Sequence, residues 1–294
     1  MELVVIGHLS RDCIVTPEAR IETLGGGPAY AMIAPAVGAM GAGIVSCIGS
    51  DFEDVYLEIL QNSGLDLSGL HVKGMKSTRF INEYDFEGRS QCVEAIAEPV
   101  VPEDILPQHL GASIYHFSPL TAADIDDGCY SKARMGGPLV SLDAQGYLRD
   151  IVDGCVVEKE WKNPSRILSL VDVVKFNELE LSAAFDAQSE LSAVTEILEL
   201  GPRIVLVTRS RKGSTVYTRN TQMDIPLVLG SESADSTGSG DVYAMGFLLE
   251  YIRTGDVKRA GLFGATCSSF NAQTHGPIGM PSRKQVEDRM KVYL

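Results

Sequence analysis

Short runs of β-branched and aliphatic residues return along the chain at residues 3–6, 44–48, 114–117, 139–142, 171–176 and 204–208. They are continuously apolar rather than alternating, the pattern of strands covered on both faces. Between several of them lie helical patterns that end on glycine: 29–40 with Gly41, 52–62 with Gly64, and 191–200 with Gly201. Strand, helix, strand repetition of this kind predicts a mostly parallel, doubly wound α/β sheet flanked by helices.

One stretch departs from that rhythm. Residues 77–96 alternate, with Phe80, Asn82, Tyr84 and Phe86 on one side, a Glu87-Gly88 turn, and 92–96 returning. The pattern is a β-hairpin. An antiparallel hairpin does not join a parallel sheet easily, so it projects as a flap or lid, or else sits as an edge hairpin. No repeat, low-complexity stretch or Pro/Ser-rich linker divides the 294 residues, which read as one domain.

The charge balance narrows the partners. Lys plus Arg number 25 and Asp plus Glu 39, a net −14, with 45% hydrophobic residues. Such a chain is not disordered, and its acidity disfavours nucleic acid and anionic membrane surfaces. A small phosphate-bearing molecule remains open, because backbone amides at a helix N-terminus bind one without a basic surface. Cys13, Cys47, Cys92, Cys129, Cys155 and Cys267 include no Cys-x-x-Cys pair. His8, His71, His109, His116 and His275 have no i, i+4 spacing, so neither a disulfide scaffold nor a protein-built transition-metal site is expected. The chain shows neither a signal peptide pattern nor the roughly 18 apolar residues of a membrane span, and a reduced, cytoplasmic protein is expected.

The richest segment is Asp235-Ser236-Thr237-Gly238-Ser239-Gly240-Asp241. Beyond it, Val242, Met245, Leu249 and Ile252 fall at helical spacing, so Gly238, Ser239, Gly240 and Asp241 stand at the mouth of an amphipathic helix. Glycines around a serine let successive N–H groups point one way, and the helix dipole adds about half a positive charge there. The segment suits an anion. Asp241 is either an ordinary first-turn carboxylate or the acceptor of a hydroxyl proton beside a transferring phosphoryl group. A P-loop is excluded by the lack of a Lys after the last glycine, and the dinucleotide fingerprint by Tyr243 where a third glycine is needed.

This segment, followed by Met245-Gly246-Phe247-Leu248, resembles the signature of the ribokinase (PfkB) family of sugar and nucleoside kinases. The resemblance extends over nearly the whole chain. It implies a ribokinase-like fold with a small β lid from insertions at about 12–24 and 71–98. It makes Asp241 the catalytic base and Gly238, Ser239 and Gly240 the anion hole. Asp235 and Thr237 match positions that in many members help form a monovalent-cation site, such as one for K+. Asp12, five residues after Gly7, matches an Asp that holds substrate hydroxyls. Gly25-Gly26-Gly27 resembles the family's Gly-Gly substrate loop, but the usual Asn after it is replaced by Pro28-Ala29-Tyr30-Ala31. Gly26, Gly27 and Tyr30 are therefore expected to line an acceptor pocket that differs from a ribose pocket.

On the nucleotide side, Asn177-Glu178-Leu179-Glu180 matches the family's Asn-x-x-Glu, in which Glu180 orders a magnesium ion through water. The same four residues make a capping box, and the two roles are compatible. The Thr208 to Gly213 segment resembles the Thr-x-Gly-x-x-Gly nucleotide loop, with Ser210 in place of the middle glycine. Asn271 falls where a residue contacts the adenine. Asp51, in Gly49-Ser50-Asp51, reads as a cap for the helix after it. In many members the lid also pairs subunits, and exposed Phe80, Tyr84 and Phe86 would suit a homodimer.

The function expected is transfer of the γ-phosphoryl group of ATP, with Mg2+, to a hydroxyl of a small sugar, cyclic polyol or nucleoside. The alternative is a ribokinase-like binding or regulatory protein without turnover. An oxidoreductase of the dinucleotide-binding kind is disfavoured, because Gly7-His8-Leu9-Ser10 carries no glycine fingerprint.

Overall fold

The computed structural model describes residues 1–84, 89–185, 187–230 and 236–294. Strands are numbered in chain order and form two sheets. The larger contains β1 (Leu3–Ile6), β4 (Ala42–Ile48), β5 (Asp66–Val72), β8 (Ile114–Phe117), β9 (Leu139–Asp143), β12 (Val173–Asn177), β13 (Ile204–Thr208), β14 (Ser214–Thr218) and β15 (Gln222–Ile225). Their order is β15-β14-β13-β12-β9-β8-β1-β4-β5. Every pairing is parallel except β13 with β14 and β14 with β15.

Alternate residues of the central strands feed two cores. Val4, Ile6, Tyr115, Phe117, Val140, Leu142, Val174 and Phe176 pack on one face. Leu3, Val5, Ile44, Val173, Ile204 and Leu206 pack on the other, against the helices Ser239–Thr254 and Val257–Asn271. Burial on both faces is why these strands read as unbroken apolar runs. The expected helix over 29–40 is instead two short pieces, Gly27–Tyr30 and Ile33–Ala36. Pro35 has no N–H to give to the carbonyl four residues back, and the bond Ala34 N–H to Ala31 O has the tighter three-residue span.

Strand order reverses between β1 and β8: from β1 the chain steps outward through β4 and β5, and from β8 outward through β9, β12 and β13. Parallel sheets leave a ligand crevice at such a point, beyond the carboxyl ends of the strands. Gly7 after β1 and Ser118 after β8 meet there; a Cβ on Gly7 would run into the carbonyl of Ser118.

The smaller sheet contains β2 (Ser10–Val15), β3 (Arg20–Gly25), β6 (Thr78–Tyr84), β7 (Arg89–Ala95), β10 (Arg149–Val152) and β11 (Cys155–Glu158), in the order β10-β11-β7-β6-β2-β3. The strands expected between 77 and 96 are present as β6 and β7, and the Glu87-Gly88 turn and Phe86 lie outside the described residues. The β10–β11 ribbon has no counterpart in the sequence expectation. Its register with β7 is a single pair, Cys155 opposite Cys92.

One face of this sheet is buried. Asp12 stands in register with Thr23 and Phe80, and Ile14 with Asn82, so these side chains share a side, and all of them are buried. Phe80 is only 2% exposed, which corrects the expectation that it is exposed; the side chain of Tyr84 and the whole of Phe86 lie outside the described residues. Alternation fixes which residues share a face but leaves open which face is covered. Asp51 does not cap the helix Asp54–Gln61 either; Glu53 holds that position. Asp51 instead accepts hydrogen bonds from Ser77 N–H at 2.7 Å and Arg11 at 3.0 Å, fastening β2 and the start of β6 to the main body.

Candidate active site

The helix Ser239–Thr254 begins on Gly238, whose φ of +73° is left-handed. No side chain fits here: a Cβ on Gly238 would lie inside the ring of Tyr30. Tyr30 is therefore the floor under the loop, 1% exposed. The loop is braced from the neighbouring helix as well. Asn271 Nδ2 donates to Thr237 O at 2.9 Å and to Ser239 Oγ at 3.2 Å, and Ser268 Oγ donates to Ser239 O at 3.0 Å. The N–H of Ser239 turns back onto Ser236 O at 3.1 Å, so Gly240 and Asp241 supply the first-turn amides, with Val242 N–H closing on Gly238 O at 3.0 Å.

Asp241 sits on that first turn, partly open to solvent. Its Oδ1 accepts a hydrogen bond from Ser118 Oγ at 2.8 Å. The glycine loop closes against the same atom: a Cβ on Gly27 would lie 2.9 Å from Asp241 Oδ1 and would strike Ser118 Oγ. Asp12 lies at the next position out, where a Cβ on Gly25 would meet its Oδ2. Asp12, Gly27, Ser118 and Asp241 are thus gathered at the point where strand order reverses, one carboxylate from the lid sheet and one from the helix mouth. Burial raises the Asp241 acid to about 6, and the negative charge of Asp143 pushes the same way; Lys175, the Ser118 bond and Arg149 oppose it.

Beneath Gly240 lies a charged pair on two adjacent, largely apolar strands. Lys175 of β12 faces Asp143 of β9 directly in register, with Nζ to Oδ2 at 2.6 Å, and both are almost fully buried. A Cβ on Gly240 would approach Lys175 Nζ to 3.0 Å. Burial works against the Lys175 ammonium, but Asp143, Glu180 and Asp241 outweigh it and hold it protonated. Burial likewise opposes the Asp143 carboxylate, and Lys175 keeps it below its ordinary value.

On the adjoining side, Asn177 caps the helix Glu178–Ala184. Its Oδ1 accepts from Leu179 N–H at 2.9 Å and Glu180 N–H at 2.8 Å, and Glu180 Oε2 accepts from Asn177 N–H at 2.7 Å. Glu180 is buried, which raises its acid, with Lys175 opposing. Thr208 ends β13 beside Asn177. Ser210 adopts φ +43°, so the left-handed turn that a glycine would take there is kept by a serine, and Gly213 follows. A groove lined by Glu190, Arg209, Lys212, Ser214, Thr215 and Asp224 opens beside this loop.

Comparison with known proteins bears on this arrangement. Residues 142–284 match the pfkB family of carbohydrate kinases. The cytidine kinase of Thermococcus kodakarensis is 30% identical over 259 residues, 86% of this chain and 89% of the relative. The chain belongs to the pfkB family. A nucleoside kinase of Methanocaldococcus jannaschii is 24% identical over 84% of this chain and 79% of its own. The sulfate complex of a pyrophosphate-dependent kinase in the ribokinase family superposes with a TM-score of 0.84 at 21% identity, covering 97% of this chain and 99% of the other. As a member of the pfkB family the protein is a phosphotransferase acting on a hydroxyl acceptor, and its fold is ribokinase-like.

Within the pfkB frame the expected residues fall into three groups. Asp12 and Asp241 lie on either side of the Gly25 to Gly27 loop, Gly26 within it, and Gly238, Ser239 and Gly240 lead into Asp241. Asn177, Glu180, Thr208 and Gly213 lie along the neighbouring strand ends. Tyr30 and Asn271, expected at the acceptor and the adenine, support the glycine-rich loop from beneath and behind. Thr237 lies in that loop with its carbonyl accepting from Asn271, while Asp235 lies outside the described residues. Sequence reasoning missed Ser118, Asp143, Lys175 and Arg149. The one signal for Lys175 was a cation inside a buried strand, Val173-Val174-Lys175-Phe176.

Proposed function

We propose that the protein transfers the γ-phosphoryl group of ATP to a hydroxyl of a nucleoside or closely similar small sugar compound, with Asp241 as the general base. The observation that carries this reading is the Asp241 carboxylate at the mouth of the amide loop, held by Ser118 at 2.8 Å and facing Gly27. The cytidine and nucleoside kinases among its relatives favour a nucleoside over other acceptors.

In this reading the acceptor lies between Asp12 on the buried face of the lid sheet and Asp241. Asp12 accepts hydrogen bonds from its hydroxyls. Asp241, its acid raised to about 6, is ionised at neutral pH yet close enough to that pH to take the proton as the hydroxyl attacks. Ser118 fixes the carboxylate so that its other oxygen faces the acceptor. The amides of Gly240 and Asp241 meet the charge that develops on the transferring group, at a helix end whose dipole favours it. The lid sheet keeps water from competing as acceptor.

Among the described residues no three His, Cys, Asp or Glu side chains converge as a metal-binding group. Magnesium would be held by nucleotide phosphates and its own waters, with the Glu180 carboxylate ordering the hydration shell. The ion, when bound, neutralises phosphate charge. A monovalent cation at Thr237 and Asp235 is part of the same proposal, as is a homodimer through the lid, to which the buried Phe80 lends no support. The rival of a binding protein without turnover is not favoured, since Asp241 and the amide loop are intact.

The test is ADP release from Mg-ATP with cytidine, other nucleosides, ribose, ribose 1-phosphate and myo-inositol, and phosphate release when pyrophosphate replaces ATP. Nucleoside-dependent ADP release supports the reading. Turnover only with a free sugar or myo-inositol moves the acceptor class. No turnover with any acceptor overturns it.

A further inference from the structure

Three buried or half-buried carboxylates, Asp143, Glu180 and Asp241, bear on Lys175, a lysine only 4% exposed. An ion pair is an expensive thing to put in the middle of a covered parallel strand: desolvation costs several kcal/mol per ion, and apolar residues of similar volume are often as stable or more so. Stability therefore does not account for the pair. Its position does. Nζ is fixed at 2.6 Å by Asp143, the register partner on the adjacent strand, and it lies directly under Gly240, the first-turn residue before Asp241.

We propose that Lys175 is a positioning residue: its ammonium, locked by Asp143 beneath Gly240, keeps Asp241 ionised and ready to accept a proton while supporting the floor of the amide loop. The proposal rests on the reading of Asp241 as the base. The charged groups bearing on Asp241 are Asp143 from β9, Lys175 from β12 and Arg149 from β10, with the Ser118 hydroxyl from the segment after β8. Those bearing on Lys175 are Asp143, Glu180 and Asp241. His116 on β8 faces Asp143 from further in, and burial lowers it to about 4, so it is neutral near pH 7. Lys175 is thus the positive charge that counters Asp143. Without it, burial and Asp143 act together on Asp241 and raise its acid further. Without Asp143, the ammonium acts on Asp241 unopposed.

The two variants consequently move Asp241 in opposite directions, which a merely structural role does not predict. The measurement needs no substrate. The Tm increment produced by Asp241→Asn is recorded from about pH 4 to about pH 9 in four backgrounds: unaltered, Lys175→Met, Lys175→Arg and Asp143→Asn. A carboxyl raised in the folded state destabilises as it ionises, so the increment grows with pH and levels off above the folded-state value. Lys175→Met should move that levelling upward by roughly one pH unit or more, and Asp143→Asn should move it downward. Lys175→Arg should leave it near its original place. An increment whose pH course is the same in all backgrounds overturns the proposal. If Lys175→Met does not fold, Asp143→Asn decides alone: no downward movement overturns the proposal. Turnover by Asp241→Asn itself, measured with Mg-ATP and cytidine, separates the two ideas: near-normal turnover refutes the base and leaves the charge coupling to be judged by Tm.

Discussion

The floor of the crevice and the sheet that covers it are held together in different ways. On the floor, each functional group is fixed by a specific partner. Gly238 rests on Tyr30, Ser239 is tied by Asn271 and Ser268, Asp241 is held by Ser118, and Lys175 is locked to Asp143 across two adjacent parallel strands. The lid sheet is built from three separated segments, and its β10–β11 ribbon meets β7 at one register pair. Groups that must meet a transition state need fixed positions, whereas a cover must open for each turnover. Substitutions on the floor should therefore act on kcat and on stability, and substitutions on the lid face on acceptor KM.

The largest effect is expected at Asp241. Asp241→Asn removes the proposed base and should lower kcat by about 10² to 10⁴-fold or more while nucleotide binding survives. The same variant should be more stable than the parent at alkaline pH. The Asp241 acid is raised to about 6 in the folded protein from an ordinary value of 3.8, so the unfolded chain loses its proton first. Stability then falls as pH rises between those values and stays lower above them. A thermal melt at about pH 8 should show a gain in Tm for Asp241→Asn that vanishes near pH 4. Full activity, or a Tm gain independent of pH, would remove Asp241 from the contrast between floor and lid.

Gly238→Ala tests the floor through the backbone instead of through charge. The φ of +73° and the ring of Tyr30 leave no place for a methyl group. A strain of about 1 to 3 kcal/mol is expected, released by moving the loop, so Tm and kcat should fall together, kcat by roughly 10²-fold. An alanine tolerated in both measurements would mean that the loop is not preorganised.

How much of this was readable beforehand follows from the same contrast. The runs 3–6, 114–117 and 204–208 coincide with β1, β8 and β13, because strands buried on both faces have a composition signal. The amide loop was readable because Gly238 is conformationally required. Lys175 was not, since periodicity in a doubly covered strand says nothing about which neighbour a side chain meets; only the strand order places Asp143 beside it. Ser118 follows a strand without any local pattern, and β10 and β11, half-buried at most, lack the continuous buried apolar run that marks the equally short β1 and β8. The helix over 29–40 failed at Pro35, whose lost donor outweighed the apolar periodicity around it.

The lid side predicts a different signature. Asp12 is buried on the covered face and touches the glycine loop rather than the amide loop. A hydrogen bond to a charged acceptor contributes about 1.5 to 3 kcal/mol. Asp12→Ala should therefore raise the acceptor KM tenfold or more in initial-rate assays and change kcat much less. Equal losses in both would place Asp12 among the groups that act in the transition state and would dissolve the division proposed here.

The smallest effect is expected at Lys212, at the nucleotide loop. Its ion pair with Glu178 spans 3.2 Å with the lysine 72% exposed, so solvent screens it and its loss should leave Tm nearly unchanged. Lys212→Ala is then a clean probe of phosphate contact. A rise in ATP KM that shrinks as salt is raised would show that the ammonium meets nucleotide charge, since only an exposed charge interaction is screened in that way. An unchanged KM would assign phosphate binding to the main-chain amides and the floor alone, and the contrast with the rest of the crevice would become sharper still.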